Sequence, residues 1–313
     1  MNFAIMAGGT GGHIFPGIAV AKSLQKKGHQ IFWLGAQGGM EERIVRQHGI
    51  QLTLLAIKPL RGKGLVGMLT MPFRLLKGIW QARKFFKANQ IDAAISMGGY
   101  VAAPGGFATT LCKTKLIVHE QNSVFGMTNK SLAKRASLVM TGFDLSGQFD
   151  AQWVGNPVRD SIEEIKKHSD RAEPLNVLVL GGSLGAQSLN TMVPNCLSEW
   201  VEKGVVKIKH QCGRDKLRAT QVAYGHLALQ IDIQEFIQNM AVAYQWADVC
   251  ICRAGALTIA EISTVGIPTI FVPYPHAVDD HQTQNALSLV KKDAALMWQE
   301  STDQSQFIEH FKY

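Results

Sequence analysis

The stretch Cys252–Asn285, CRAGALTIAEISTVGIPTIFVPYPHAVDDHQTQN, decides the fold of this chain. The apolar run Val249 to Ile251 before it reads as a short buried strand. Gly255 breaks that strand, and Ala256-Leu257-Thr258 open a helix. A helix N-terminus offers unpaired N–H groups and a partial positive charge, which suits a diphosphate or an anionic sugar face. Glu261 falls one turn in, where a carboxylate can accept from two adjacent hydroxyls such as a ribose diol. A second strand, Thr269 to Val272, ends in Pro273, and a polar loop follows with Asp279, Asp280, His281, Gln282 and Asn285. Open α/β sheets bind their ligands beyond the carboxyl ends of parallel strands.

The same grammar runs outward in both directions. Strands are predicted at Phe3–Ala7, Ile31–Leu34, Gln51–Ile57, Ala93–Ser96, Lys115–Val118 and Ser137–Thr141, then at Asn176–Leu180, Lys207–Gln211 and Ala294–Trp298. A last short helix is read at Phe307–Lys312. Strands alternating with helices in two halves predict two doubly wound Rossmann-like domains facing across a cleft. Their expected limits are 1–158 and 175–313, joined by a polar connection over 159–174. At 313 residues with 46% apolar content, each half can bury a core.

Several glycine-rich turns close these strands. Gly8-Gly9-Thr10-Gly11-Gly12 follows the first strand, and Pro16 is placed in the first turn of the next helix. This is not the dinucleotide fingerprint: Ile14 stands where a third glycine belongs, and Gly35-Ala36-Gln37 after the second strand supplies no ribose-binding acid. A dehydrogenase is therefore disfavoured. Gly181-Gly182-Ser183-Leu184-Gly185 repeats the pattern in the second half, and Gly98-Gly99-Tyr100 closes the fourth strand. His13, at the mouth of the first loop, is placed for general-base work. His119-Glu120-Gln121-Asn122 follow the fifth strand as four polar residues, at least one of them expected to touch a ligand.

Charge is uneven. Residues 1–157 hold 18 Lys and Arg against 6 Asp and Glu, while 158–313 hold 14 against 18. Arg43 to Ile91 contains ten basic residues and no acid. Turned at about 100° per residue, a helix over Pro72–Lys87 carries two apolar faces. Leu75, Ile79, Ala82 and Phe86 form the one that packs inward. Phe73, Leu76 and Trp80 form the other, with Leu69 if the helix starts early, flanked by Lys77, Lys84 and Lys87. A surface helix needs one apolar stripe. A second, rimmed by lysine, fits an anionic bilayer surface. Nucleic-acid surfaces instead interleave basic and aromatic residues, so a nucleic-acid partner is not expected. The five cysteines lack metal-ligand spacing and read as buried thiols. No signal peptide or membrane span is read.

Six motifs occur together and in order: GGTGGHIFPGIAVA, GGYVAAPGGFAT, HEQNSVFGMTNK, VGNPVR, GGSLGAQSLN, and CRAGALTIAEI with GIPTIFVPYPHAVDDHQTQNA. On these the chain resembles the MurG family, bacterial N-acetylglucosaminyltransferases that complete lipid II. The resemblance implies a GT-B fold. It implies inverting transfer of N-acetylglucosamine from UDP-N-acetylglucosamine to the muramyl 4-hydroxyl of undecaprenyl-linked lipid I. It implies no cofactor or catalytic metal, with Asp279 and Asp280 as sugar contacts or solvated residues. It places the protein peripherally on the cytoplasmic face of the inner membrane, near cell-wall synthesis and division proteins. Donor contacts implied are Thr10, Gly11, Gly12, Asn122, Arg159, Ser183, Ile237, Ala256, Leu257, Thr258, Ile259, Ala260, Glu261 and Gln282, with Ile237 bounding the uracil. Tyr100 and Asn129 are candidate acceptor contacts. The base is His13, with Glu120 as second choice. Ala254 replaces a common serine and Phe125 a small residue, which implies a weaker donor contact and an altered HEQN loop. Family members usually continue past the position of Tyr313. An epimerase of the same fold, or a catalytically silent nucleotide-sugar-binding protein, remains open from the residues alone.

Overall fold

The computed structural model describes residues 1–57, 65–165, 173–182, 184–300 and 307; side chains at 65–71 and 278 lie outside it. Ser183, the Leu69 side chain and the helix expected at 307–312 therefore fall outside the described residues, except for Phe307. The chain divides into two units, Met1–Pro157 and Val158–Tyr313.

The first unit alternates β1 (Asn2–Met6), α1 (Gly11–Lys26), β2 (Gln30–Ala36), α2 (Met40–Gln47), β3 (Gln51–Leu55), α3 (Leu65–Ala88), β4 (Ala93–Ser96), α4 (Ala102–Thr109), β5 (Lys115–Glu120), α5 (Met127–Ala133), β6 (Leu138–Thr141) and β7 (Gln152–Trp153). The sheet runs β3-β2-β1-β4-β5-β6-β7, all pairs parallel. The central strands β1, β2 and β4 are largely apolar because both faces are covered, whereas β3 opens on exposed Gln51 and both residues of β7 are exposed. Side chains alternate across the pleat. Ala4, Met6, Phe32 and Leu34 thus join α3 and α4 on one face. Ile5, Ala7, Ile31 and Trp33 meet α1 and α2 on the other.

The second unit holds α6 (Asp160–Glu163), β8 (Leu175–Leu180), α7 (Gln187–Glu202), β9 (Val206–Gln211), α8 (Leu217–Tyr224), β10 (Asp232–Gln234), α9 (Met240–Trp246), β11 (Val249–Cys252), α10 (Ala256–Val265), β12 (Thr269–Phe271), α11 (His281–Val290) and β13 (Leu296–Met297). Its parallel sheet is ordered β10-β9-β8-β11-β12-β13. In each unit the strand order reverses beside the first strand, between β1 and β4 and between β8 and β11. These are the switch points where doubly wound sheets bind ligands.

Four local expectations change. α1 begins at Gly11, so Gly11 and Gly12 are its first residues and Pro16 sits in its second turn, where it withholds one amide from the ladder. β5 continues through Glu120, so His119 and Glu120 belong to the buried strand end rather than to the segment after it. Asn285 lies within α11, fully buried, and its amide donates to the Ala254 carbonyl at 3.2 Å. The segment after Pro157 is no free connection: Ile162 is buried, and α6 packs on α10 and α9. β7 and β10 are too short, at two and three residues, to stand out as apolar runs. No helix among the described residues is long and apolar enough to cross a membrane.

Both departures from the family pattern find places in the core. Ala254 is 0% exposed, so its side chain faces packing, not solvent. Phe125 is buried with Ala133, Val139 and Leu145, its ring edge-on to Phe149 at 5.1 Å. It anchors the loop after β5 from beneath.

Gly17 of α1 rests on the Trp33 ring, and a Cβ there would lie 2.7 Å from it. Trp33 is fully buried and its indole N–H donates to the Ala7 carbonyl at 3.0 Å, so the ring cannot yield. Overpacking costs about 1–3 kcal/mol, which exceeds the few tenths that valine gains over glycine in a helix. Gly17→Val is expected to lower the urea midpoint without changing the slope of the transition.

Candidate functional site in two half-sites

In the first unit the candidates gather at the adjoining ends of β1, β4 and β5. A Cβ on Gly99 (φ +79°) would collide with the Gly8 carbonyl oxygen, so the two turns touch through bare backbone. His13 lies in the first turn of α1 with its ring against Gly98; a Cβ there would stand 3.1 Å from Nε2. Thr10 precedes the helix, and its Oγ1 is 3.1 Å from His13 Nδ1. Thr10 and Gly12 are exposed, and Gly11 and His13 half-buried. Tyr100, half-buried, stands beside Gly9.

A buried polar chain backs this edge. Gly98 N–H donates to Ser96 Oγ at 3.3 Å, and Ser96 Oγ donates to Asn129 Oδ1 at 2.8 Å. Asn129 Nδ2 donates to the His119 carbonyl and to Glu120 Oε2, each at 3.0 Å. Glu120 also accepts from the amides of Asn122 and Gly126 at 3.1 Å and from Asn122 Nδ2 at 3.2 Å. Burial pushes the Glu120 carboxyl up, and these donors pull it back. With four donors and 2% exposure, Glu120 shapes the loop that carries Asn122. Asn129, 1% exposed with both ends of its amide engaged, braces the edge from within. His119 Nε2 meets the Gly155 carbonyl at 3.0 Å and Nδ1 meets Gln121 Nε2 at 3.0 Å. A carbonyl only accepts, so Nε2 carries the proton, and burial holds the ring neutral by lowering its pKa.

In the second unit the candidates lie beyond β8, β9, β11 and β12. Gly185 (φ +71°) presses on the Cys212 carbonyl so closely that no Cβ fits. Gly255 caps α10 with extended backbone and no side-chain bond, leaving the helix N-terminus at Ala256, Leu257 and Thr258 open to an anion. Ile259 is buried inward and Ala260 half-buried. Glu261, 4% exposed, accepts from Arg159 Nε at 3.1 Å and Nη2 at 2.7 Å through one oxygen, and from the Tyr244 hydroxyl at 2.9 Å through the other. Burial raises its pKa, while Arg159 and Tyr244 favour the charged form. Two residues 102 positions apart thus form a charge-assisted pair in which two guanidinium N–H groups converge on one carboxylate oxygen.

Ile237 is buried, and its N–H already donates to Gln211 Oε1 at 3.0 Å. Its carbonyl and side chain are the parts left to bound a base. Gln282 Oε1 accepts from the Tyr274 amide at 2.9 Å and fixes the loop after β12. Asp279 and Asp280 are exposed in left-handed backbone, and Asp280 accepts from the Thr283 hydroxyl at 2.6 Å.

Five supports went unread in the sequence. Arg253 reaches the carbonyls of Val272 and Pro273 at 3.0 Å and Ser188 Oγ at 2.9 Å, and it pairs with Glu300. It ties the ends of β11 and β12 to the start of α7. Tyr244 and Gln211 touch candidate groups directly, at Glu261 and Ile237. His210 and Asn190 act beneath them: Nδ1 of His210 meets the Tyr224 hydroxyl at 2.8 Å, Nε2 meets Asn190 Oδ1 at 3.1 Å, and Asn190 Nδ2 holds the Cys212 carbonyl at 3.0 Å. Polar residues inside an apolar strand, as in KIKHQ, were the available signal.

Comparison with known proteins fits this geometry. Residues 3–141 match the glycosyltransferase family 28 N-terminal domain, and 176–310 its C-terminal domain. A relative from Marinobacter nauticus is 45% identical over 304 residues, covering 95% of this chain and 83% of its own. One from Alcanivorax borkumensis is 46% identical over 298 residues, covering 94% and 83%. Both are named UDP-N-acetylglucosamine–N-acetylmuramyl-(pentapeptide) pyrophosphoryl-undecaprenol N-acetylglucosamine transferase. The crystal structure of Acinetobacter baumannii MurG superposes with a TM-score of 0.81 at 38% identity, covering 99% of this chain and 90% of that one.

Burial pushes the pKa of His210 down to about 3. The folded ring stays neutral to that pH, whereas the unfolded one takes its proton near 6.5. Its stabilising share is complete above about pH 6.5 and is lost as pH falls toward 3, at about 1.4 kcal/mol per pH unit. His210→Gln is expected to flatten the fall in urea-unfolding stability between pH 6.5 and 5 by about 2 kcal/mol.

Proposed function

The chain belongs to glycosyltransferase family 28, and we propose that it moves N-acetylglucosamine from UDP-N-acetylglucosamine to the muramyl 4-hydroxyl of undecaprenyl-pyrophosphoryl-linked lipid I. One observation carries the donor half: a buried carboxylate, Glu261, one turn inside a ten-residue helix whose open N-terminus lies at the switch point of the second sheet. Amides at 256–258 suit the diphosphate, whose charge grows as UDP departs, and preorganised dipoles there favour that step. The Glu261 carboxylate, steadied by Tyr244 and Arg159, takes the ribose hydroxyls on its remaining lone pairs. Ile237 bounds the uracil, and Gln282 faces the sugar.

Inversion in one step needs a base on the acceptor hydroxyl. His13 fills that role, its ring set by Thr10 and Gly98. The four donors around Glu120 favour it as the organiser of the Asn122 loop. Thr10, Gly11, Gly12 and Asn122 serve the sugar side, with Tyr100 at the acceptor. The first unit is the acceptor unit and the second the donor unit. No metal or cofactor enters this scheme.

α3 supports the lipid end. Phe73, Leu76 and Trp80 are 75%, 63% and 62% exposed, while Ala82 and Phe86 on the opposite face are buried. Lys77 and Lys84 flank the exposed stripe, and Lys84 Nζ lies 5.9 Å from the Trp80 ring centre. This stripe docks on the anionic cytoplasmic surface of the inner membrane, where the acceptor's polyprenyl tail is held. Cell-wall synthesis and division proteins are partners at the same surface. An epimerase has no use for such a stripe.

UDP release from UDP-N-acetylglucosamine tests the reaction: release that requires a lipid I analogue supports transfer, and release without it sinks the proposal in favour of epimerase or hydrolase chemistry. His13→Ala is expected to lower turnover about 100-fold or more; a near-normal rate removes it as the base. Replacing Phe73, Leu76 and Trp80 together by serine is expected to weaken sedimentation with phosphatidylglycerol vesicles at least tenfold. Turnover on a soluble acceptor analogue should stay unchanged.

A further inference from the structure

A carboxylate stands beneath the first glycine loop and faces inward. Glu41, the second residue of α2, is 0% exposed. Its Oε2 accepts from the Gly9 amide at 3.2 Å and its Oε1 from the Ala36 amide at 3.0 Å. The surrounding chain is built to admit it. A Cβ on Gly8 or on Gly39 would collide with the carboxyl group, and one on Gly35 would lie 2.9 Å from Cγ. Gly8, Gly35 and Gly39 therefore make room for one side chain. The Gly9 amide is likewise spent on the protein rather than offered to a phosphate.

We propose that Glu41 is a positioning residue for the transfer reaction, fixing the backbone at Gly9 so that Thr10 and His13 hold their working geometry. The path is short and covalent. Gly9 is pinned in left-handed backbone (φ +92°) by its bond to Glu41. Thr10 follows directly, and its carbonyl accepts the amides of His13 at 3.2 Å and Ile14 at 3.2 Å, which starts α1. Thr10 Oγ1 then contacts His13 Nδ1 at 3.1 Å. A loop of consecutive glycines has much backbone freedom to lose. A carboxylate that bridges the ends of β1 and β2 removes it before substrate arrives, and misplacement of a catalytic group by about 1 Å can cost roughly 100-fold in rate. Glu41 touches neither substrate nor the reacting atoms in this account. It rests on the reading of His13 as base.

Glu41→Gln tests it in the full chain. The amide keeps the shape but turns an NH2 toward one of two N–H donors, so one bond is lost. The expected result is a 10- to 100-fold fall in kcat, with the dissociation constant for UDP unchanged within twofold, because the groups assigned to the uridine and the diphosphate, Ile237, Glu261 and the amides at 256–258, lie in the second unit. In the His13→Ala background the same change should add less than threefold, since both act through one group. Amide exchange of the peptide containing Gly9 should accelerate at least tenfold in Glu41→Gln, a readout that stands even if the wild-type chain transfers no sugar. A kcat within twofold of wild type, a full multiplicative effect on top of His13→Ala, or unchanged Gly9 exchange each overturns the proposal. If Glu41→Gln does not fold, Glu41→Asp withdraws the same oxygens by one methylene and is held to the same outcomes.

Discussion

Bare backbone touching bare backbone is the constraint on which both units depend. The turn after β4 meets the turn after β1 at Gly99 and Gly8, and the loop after β8 meets the end of β9 at Gly185 and Cys212. A single Cβ at Gly99 or Gly185 would part those turns. With them in contact, residues on neighbouring strands are delivered to one edge of each sheet. The parallel order, with its reversal beside the central strand, ensures that the edge is concave rather than filled by a crossover.

Around these contacts the protein spends buried polar groups freely. Glu41, Glu120, Asn129, His119 and Gln121 lie beneath the first edge, and Glu261, His210, Gln211, Asn190 and Asn285 beneath the second, all nearly without solvent. Burying a polar group is costly unless it is hydrogen-bonded. Most of them bond backbone amides or carbonyls near the loops, so the cost is recovered as loop rigidity, whereas Glu261 and His210 bond other side chains. Gln121 Oε1 is buried with no partner among the described residues. Preorganisation of this kind suits a transfer in which the two partners must be held while water is kept from the same anomeric carbon.

α3 follows another logic. Its inward face obeys the helical period and packs on the sheet, while its outward aromatic stripe stays exposed among lysines. On folding grounds alone that stripe is a liability. A surface that is apolar at its centre and basic at its rim is matched by the headgroup region of an anionic bilayer, which offers both kinds of contact at once.

The alternation of elements, the glycine turns at strand ends, the two-unit plan and the outward stripe of α3 are legible in the residues alone. All of these follow from local period, from glycine and proline placement, and from charge. Glu261 and His13 stand out in the same way, because each lies at a fixed short distance from a turn. Packing alone shows which of the polar residues turn inward, as Glu41, Glu120 and Asn129 do. Local pattern does not distinguish Glu41 from Glu42, since neighbours on a helix differ in direction, not in chemistry. Nor does it pair Arg159 with Glu261, because an ion pair across 102 residues depends on how α6 packs against α10. Direction and long-range pairing are properties of packing, and they appear only once the strands have found their order.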